Sequence, residues 1–596
     1  MHRSILTLAL LAGFLAAAIG LSWLLFRGAG SGDPAAALPA SADAALIVPS
    51  VPTLLRDLSA TRMAPAPGES GWELLAKIVS DLLGARGIEF EPDPGWLSKA
   101  LRGSAAFAWV PSERAGSPPH LVLAFEIPSA RLDVLALVEK NVLPEFAAQG
   151  LTWSRRTHRG HEYGYLRLPG TRASLCVASH KRLALVTVSG EAMRQALTAL
   201  VRRDSSLASG TAFRRVRNDL RERSDVVAYL SGSLIRSLLA GRDSEEGRSR
   251  WLHAIAESAG VTAAGASITV TRRGLFRERV RILAPRIAGT IAGRIFASRP
   301  RPLSAAGLLP EGYPLYLGAS FSDPGAAWAH LPEWFAPLLR QEPERLRLRL
   351  QGLQDFMGLD IRQDLLGALG EEVALALDPA GRKPPIVALR PSDEAAARRL
   401  LGRLDGLARA TEAYHSEGLP KGAITTYTHE KITPHRPSYL FLDGALVLSD
   451  APEPLAALAG RRAEGDRDPT PARGSPASFP SEKAHLLVSA ETEELVRWLR
   501  GIAPGRGDEA AGSAWLERLR GLLPGWAGPL PACTASFRIT REGLSGQWTA
   551  PLSPVILAAL LAVSPLETSH PPLPPADSPI PEPEPEGPPQ EPTPTP

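Results

Sequence analysis

Within "RRTHRGHEYGYLRL", residues 155–168, His158, His161 and Glu162 fall inside five positions. Imidazole nitrogens and carboxylate oxygens are ligands for zinc or iron, and a metal held there would supply a Lewis acid or an activated water. The same side chains along a strand edge would do no chemistry. Spacing separates the two readings. A zinc-binding helix carries H-E-x-x-H, which this stretch lacks, and Gly160 with Tyr163 and Tyr165 reads as strand. Along a continuous strand neighbours alternate faces, so Glu162 is expected to point away from His161. His158 is then expected opposite His161 as well, unless Gly160 introduces a bulge. A second stretch, "YTHEKITPHRPSYLFL", also runs from Thr-His into hairpin strands, but His429, Glu430 and His435 stand at different offsets. A metal needs fixed ligands on a fixed frame. The reading is therefore scaffold, with no metal ligand assigned.

The other reactive residue types give no reaction either. The sequence has no G-x-S-x-G nucleophile elbow, no G-x-x-x-x-G-K-[ST] and no G-x-G-x-x-G opening a helix. Trp328 and Trp334 recur with Leu331, Phe335 and Leu338 at helical spacing, which describes a core face rather than a ligand platform. Glu371 and Glu372 open an alternating strand and are expected to be solvated. Cys176 and Cys533 are too few for a disulfide framework or a cysteine zinc site. Buried thiols are the simpler expectation for them, and a long-range disulfide the alternative. No catalytic residue and no cofactor is assigned. Catalytic carboxylates need no local signature, so an envelope hydrolase stays open as an alternative, as does a carrier of apolar ligands.

These residues must be placed by a chain of 596 residues, long enough for two to four domains. Its composition, 44% hydrophobic and 21% charged, is that of a globular protein able to bury cores. A net charge of +4 with arginines scattered among acids argues against nucleic acid as a partner. Arg outnumbers Lys roughly seven to one, as in a bacterial genome rich in G and C. From Ile5 to Phe26 no charge occurs, and at about 1.5 Å per residue this run matches a hydrocarbon core of roughly 30 Å. Trp23, Phe26 and Arg27 at its end make a poor cleavage site, so residues 1–27 are expected to be an uncleaved anchor. Residues 28–37, with "GAGSG", then form a flexible tether. The expected location is the cytoplasmic (inner) membrane, single-pass, with the bulk of the chain extracytoplasmic or periplasmic. Residues 565–596, rich in proline and acids, are expected to be extended and disordered.

Between anchor and tail the sequence matches itself. "ASITVTRRGL" from Ala266 recurs as "ASFRITREGL" from Ala535, a shift of 269 positions (535 − 266). Nearly the same shift sets "LRGSAAFAWV" on "LGEEVALALD". It also sets "RASLCVASHKRLALVTVS" on "RPSYLFLDGALVLS", provided that the SHKR and DG turns differ in length. "SDVVAYLSGSLIRSLLAG" and "EKAHLLVSAETEELVRWLRG" repeat a strand-then-helix pattern within the copies. The expected fold class is α+β: an N-terminal transmembrane helix, then two tandem copies of a mainly antiparallel sheet-and-helix unit, each of two subdomains. The copies span residues 38–300 and 301–564, with a linker at 461–480 inside the second. "SPVILAALLAVSP" is too short to span a membrane and is expected to be a closing helix.

"LPASADAALIV" and "MGLDIRQDLLGALGEEVALAL" resemble an uncharacterised bacterial family of membrane-anchored proteins of unknown function. That family carries an LPAD-x-x-LYV-type first strand and GLDLxxDLLxxLGxEVALAL-type segments. The resemblance is good in the second copy and degenerate in the first, where "GIEFEPDPGWLSKALRGSAAFAW" stands instead. It implies architecture and envelope location and supplies no activity. The functional expectation is a non-enzymatic, membrane-anchored cell-envelope protein. Its partners would be the membrane, through the N-terminal run, and an unknown envelope protein or glycan.

Overall fold

The computed structural model describes residues 33–59, 72–73, 103–113, 119–127, 133–141, 152–167, 174–220, 224–240, 253, 256–271, 275–296, 299–322, 328, 332, 342–358, 360, 362, 368, 370–378, 381–410, 415–418, 424–428, 436–463, 483–491, 532–551 and 553. The apolar run Ile5–Phe26, Leu331, Trp334, Phe335 and Leu338, His429, Glu430 and His435, and residues 464–480 and 554–596 lie outside them. Among the described residues no helix is long and apolar enough to cross a membrane.

The first half of the chain gives β1 (Ala44–Val48), α1 (Val51–Ser59), β2 (Ala105–Val110), β3 (His120–Glu126), α2 (Val134–Asn141), β4 (Trp153–His158) and β5 (His161–Arg167). It continues through β6 (Ser174–His180), β7 (Leu183–Thr187), α3 (Gly190–Val201), α4 (Thr211–Asp219), β8 (Val226–Ser231), α5 (Gly232–Ala240), β9 (Ala263–Val270) and β10 (Phe276–Leu283). The second half follows with α6 (Ile291–Ile295), β11 (Leu315–Ser320), α7 (Pro343–Met357), β12 (Glu372–Leu377), β13 (Ile386–Arg390), α8 (Glu394–Ala410) and β14 (His415–Gly418). It ends with β15 (Ile424–Thr428), β16 (Ser438–Leu442), β17 (Ala445–Ser449), α9 (Pro452–Ala463), β18 (Leu486–Ala490), β19 (Cys533–Thr540) and β20 (Gly543–Ala550).

The twenty strands among the described residues join one antiparallel sheet. From one edge the first half reads β4-β5-β6-β7-β3-β2-β1-β8-β9-β10. From the other edge the second half reads β14-β15-β16-β17-β13-β12-β11-β18-β19-β20, the same order shifted by ten. The halves meet where β10 pairs with β20, and at the centre of that ladder Arg279 faces Gln547. Ala266 faces Val280 and its sequence counterpart Ala535 faces Trp548, so Val280 corresponds to Trp548 and Arg279 to the Gln547 opposite it. The pairing pattern thus has a local two-fold centre.

This corrects the expected fold class of tandem copies, each of two subdomains. β1 pairs with β2 on one side and β8 on the other, so no boundary divides a half. β10 and β20 satisfy each other's backbone N–H and C=O groups, which would otherwise have left an open edge on each half.

On one sheet face the first half packs α3 and α4 against a lattice of small residues, Ala106, Ala108, Ala124 and Ala178. Ser189 caps α3 by accepting from the Ala192 N–H at 3.0 Å, and the helix buries Met193, Ala196 and Leu197. Burial of Met193 and Leu197 stabilises by about 1.5–3 kcal/mol each. The opposite face, with Leu166, Leu175 and Val177 fully buried, takes Val134, Leu135 and Val138 of α2. In the second half α9 places Leu455 and Leu458 on Ala374, Ala376, Ala388 and Val447.

Candidate functional site

The chain between His158 and His161 is not one continuous strand. Arg159 and Gly160, both at positive φ (51° and 79°), close a two-residue hairpin. His158 and His161 are therefore a cross-strand pair on the same sheet face, which corrects the expectation that they point opposite ways. The β5–β6 register carries the row on to His180, whose ring stands edge-on to His161 with centroids 4.7 Å apart. His158 Nε2 lies 3.0 Å from Thr198 Oγ1 on α3, which puts the row on the α3 side. Glu162 points to the other face, as alternation requires, and binds Arg155 at 3.1 Å. There Glu139 of α2 accepts from Arg155 at 2.6 Å and from Trp153 Nε1 at 3.0 Å, clamping the outermost strand with charge.

Among the described residues no group of three His, Cys, Asp or Glu side chains is arranged to hold a metal ion. Desolvation lowers the pKa of His158, and the neighbouring cations Arg159 and Arg194 lower it further. His180 is lowered in the same way by desolvation, then by His161 and Lys181. Arg156 lies on the same face, its guanidinium 3.6 Å above the Tyr165 ring. His158 and His180 take up protons reluctantly, and the row presents imidazole nitrogens toward α3 with Arg156 and Arg194 beside it.

Sequence reasoning noticed His158 and His161 and missed His180, Arg194 and Thr198. Arg159-Gly160 between two alternating runs was the available signal, since a two-residue turn with a glycine fixes the register of the strands it joins.

A second polar cluster lies at the seam. The Arg281 side chain, 8% exposed, reaches Asp219 of α4 at 2.7 Å and Glu542 at 3.2 Å. Its Nη1 donates to Thr540 Oγ1 at 3.3 Å. On the opposite face Glu278 is fully buried and accepts from Ser553 Oγ. Nearby, His485 Nδ1 accepts from the Ile539 N–H at 2.9 Å, which requires a neutral ring protonated at Nε2. These contacts tie together segments some 54 to 275 positions apart. They clamp the seam.

Burial pushes the Cys176 thiol up to about 11, so it is neutral at physiological pH and a poor nucleophile. No disulfide joins it to Cys533. Glu371 and Glu372 are not simply solvated. Glu371 pairs with Arg301, while Glu372 accepts from Ser304 Oγ at 2.9 Å and from the Ala305 N–H, fixing the short 3-10 turn Ser304–Leu308.

The family-model comparison assigns the chain directly. It belongs to the family described as protein of unknown function (DUF3352), whose model matches residues 4–449. That is roughly three quarters of the sequence, and it ends with the last residue of β17. No curated protein matches, and no solved structure matches.

Proposed function

With that family as premise, we propose a non-enzymatic binding protein held at a bacterial inner membrane by residues 5–26, with its sheet on the extracytoplasmic side. The observation that carries this reading is the joining of both halves into one sheet through β10 and β20. A continuous sheet is a stiff platform that holds its surface helices and its outermost strands β4 and β14 in a fixed arrangement for a partner. The apolar run lies inside the family match, which begins at residue 4. The partner is an envelope protein or glycan, and the proline-rich tail is a spacer of residues 565–596.

The test uses the full chain. It is expected to sediment with membranes and resist carbonate extraction. In the Leu15→Arg, Ile19→Arg variant each arginine costs about 2.5–3.5 kcal/mol of insertion, and the chain is expected in the soluble fraction. Carbonate-soluble wild-type protein would refute the reading. Externally added protease is expected to cleave the chain in spheroplasts, and protection would place the sheet on the wrong side.

A further inference from the structure

The surface formed by α3 and the tips of β4, β5 and β6 collects positive charge. His158, His161 and His180 form a row across three neighbouring strands. Arg194 and Thr198, four apart on α3 and so on one helix face, border the row, and Thr198 touches His158 at 3.0 Å. Arg159 and Lys181 stand in the two turns at its end. Arg159 and Arg194 act on His158, and Lys181 acts on His180.

The acids of the surrounding elements are engaged elsewhere. Glu162 lies on the opposite face with Arg155. Glu191, in the first turn of α3, accepts from the Glu113 N–H and meets His120 at 3.5 Å. Asp204 is exposed beyond the other end of α3. The remaining titratable groups on this face are Arg156, Tyr163, Tyr165, Cys176 and Glu126, which stands in the same row two strands beyond His180 and meets Arg182 at 3.5 Å. The Glu113 carboxylate accepts from Gln195 of α3 at 3.3 Å, and Arg156 adds to the positive charge near the histidines.

The second half supplies the control. Gly190 follows Leu183 by seven positions and Pro452 follows Ala445 by the same seven, so α3 and α9 start in step. Counted this way, His180 corresponds to Leu442, Lys181 to Asp443, Arg194 to Ala456 and Thr198 to Gly460. The strand order and the turn length are kept while an aspartate stands for Lys181 and an alanine for Arg194. Packing does not demand the cations.

We propose that the surface formed by α3 and the β4–β6 tips binds a phosphate group, as a free anion or on an anionic lipid. This deepens the binding-protein reading and rests on it. Guanidinium and imidazolium donors make charge-assisted bonds to phosphate oxygens, and Thr198 adds a hydroxyl. The histidines gain protons as the anion enters, so binding tightens as pH falls through the histidine range.

The test titrates the full-length protein in neutral detergent with inorganic phosphate and pyrophosphate at pH 6 and pH 8. Heat and the histidine ring NMR signals are the readouts. Saturable binding is expected, tighter at pH 6 by about tenfold. An Arg194→Gln, Lys181→Asn variant keeps exposed polar side chains, and Asn tolerates positive φ in the turn. It is expected to lose about tenfold or more in affinity with an unchanged thermal midpoint. A parallel arm measures binding to phosphatidylcholine vesicles with and without phosphatidylglycerol. Preference for the anionic vesicles assigns the phosphate to a lipid, and binding of the free ions alone assigns it to a soluble anion. Absence of saturable binding in every arm overturns the proposal, as does equal binding by wild type and variant. The membrane fractionation described above is unaffected by either result, so the two readings fail separately.

Discussion

The first half closes β6 onto β7 with Lys181 and Arg182, and the second closes β16 onto β17 with Asp443 and Gly444. Both turns hold two residues, so the length difference expected from sequence is absent. Asp443 and Gly444 both take positive φ (49° and 74°), whereas of the Lys181-Arg182 pair only Lys181 does (52°). Asp-Gly is what a two-residue hairpin turn selects for conformation, and lysine at that position is a concession. The second half is thus written for folding where the first is written for charge. The two faces nearby follow the same division: Cys176 sits opposite a wall bearing Arg194, while its counterpart Ser438 binds inward to Thr426 Oγ1 and the Arg436 carbonyl.

The largest expected effect comes from forcing one half to take the other's residue near the seam. Gly265 on β9 lets α4 lie close, because a Cβ there would come within 2.1 Å of Val216 and 2.9 Å of the Ala228 carbonyl. Its counterpart 269 positions on is Thr534. Gly265→Thr is expected to cost about 3 kcal/mol, read as a lower urea midpoint at unchanged slope. An unchanged midpoint would mean that α4 does not hold the first half in this way.

A smaller loss is expected from Ser438→Ala. The substitution removes two hydrogen bonds at 3.1 and 2.8 Å from a buried site and should destabilise by about 1 kcal/mol. Equilibrium denaturation against wild type measures it. Cys176→Ala in the first half would then test whether the corresponding thiol contributes only packing.

The mildest effect is one of pH. His158 and His180 have lowered pKa values in the fold, so the unfolded chain binds protons first as pH falls below about 6.5. Their contribution is complete above that value and is lost as pH falls toward their folded values. Hydrogen exchange, corrected for its intrinsic rate, is expected to show β4–β6 less protected at pH 5.5 than at pH 7.5, with β15–β17 nearly unchanged. In His158→Gln, His180→Gln the two halves should respond alike.

Local patterns made much of the sheet legible and left its joining invisible. "ASITVTRRGL" and "ASFRITREGL" mark β9 and β19, which hold the same place in the two strand orders. "FRERVRIL" and "GLSGQWTA" share no motif, and a pairing between them depends on how two distant halves come together. Nothing in either segment encodes that contact locally. The histidine row failed differently. His158 and His161 were visible, but a strand drawn straight through Arg159-Gly160 put them on opposite faces. His180 sits two strands over and becomes a neighbour only once the β5–β6 register is known. The seam contacts of Arg281 and Glu278 follow the same logic, since their partners come from residues 219, 542 and 553.

The ladder between β10 and β20 also sets a timetable. Leu283 pairs with Gly543, about 260 residues later in the chain. At a synthesis rate of about 5–20 residues per second, β10 waits roughly 13 to 50 seconds for its partner. Throughout that interval the nascent first half carries an open edge eight residues long, with Phe276, Val280 and Ile282 along one side. Such an edge can pair with the same edge of another unfinished chain. The charges that interrupt it, Arg277, Glu278, Arg279 and Arg281, stand where a gatekeeper against that mispairing is needed, before the ribosome has delivered the strand they will finally face.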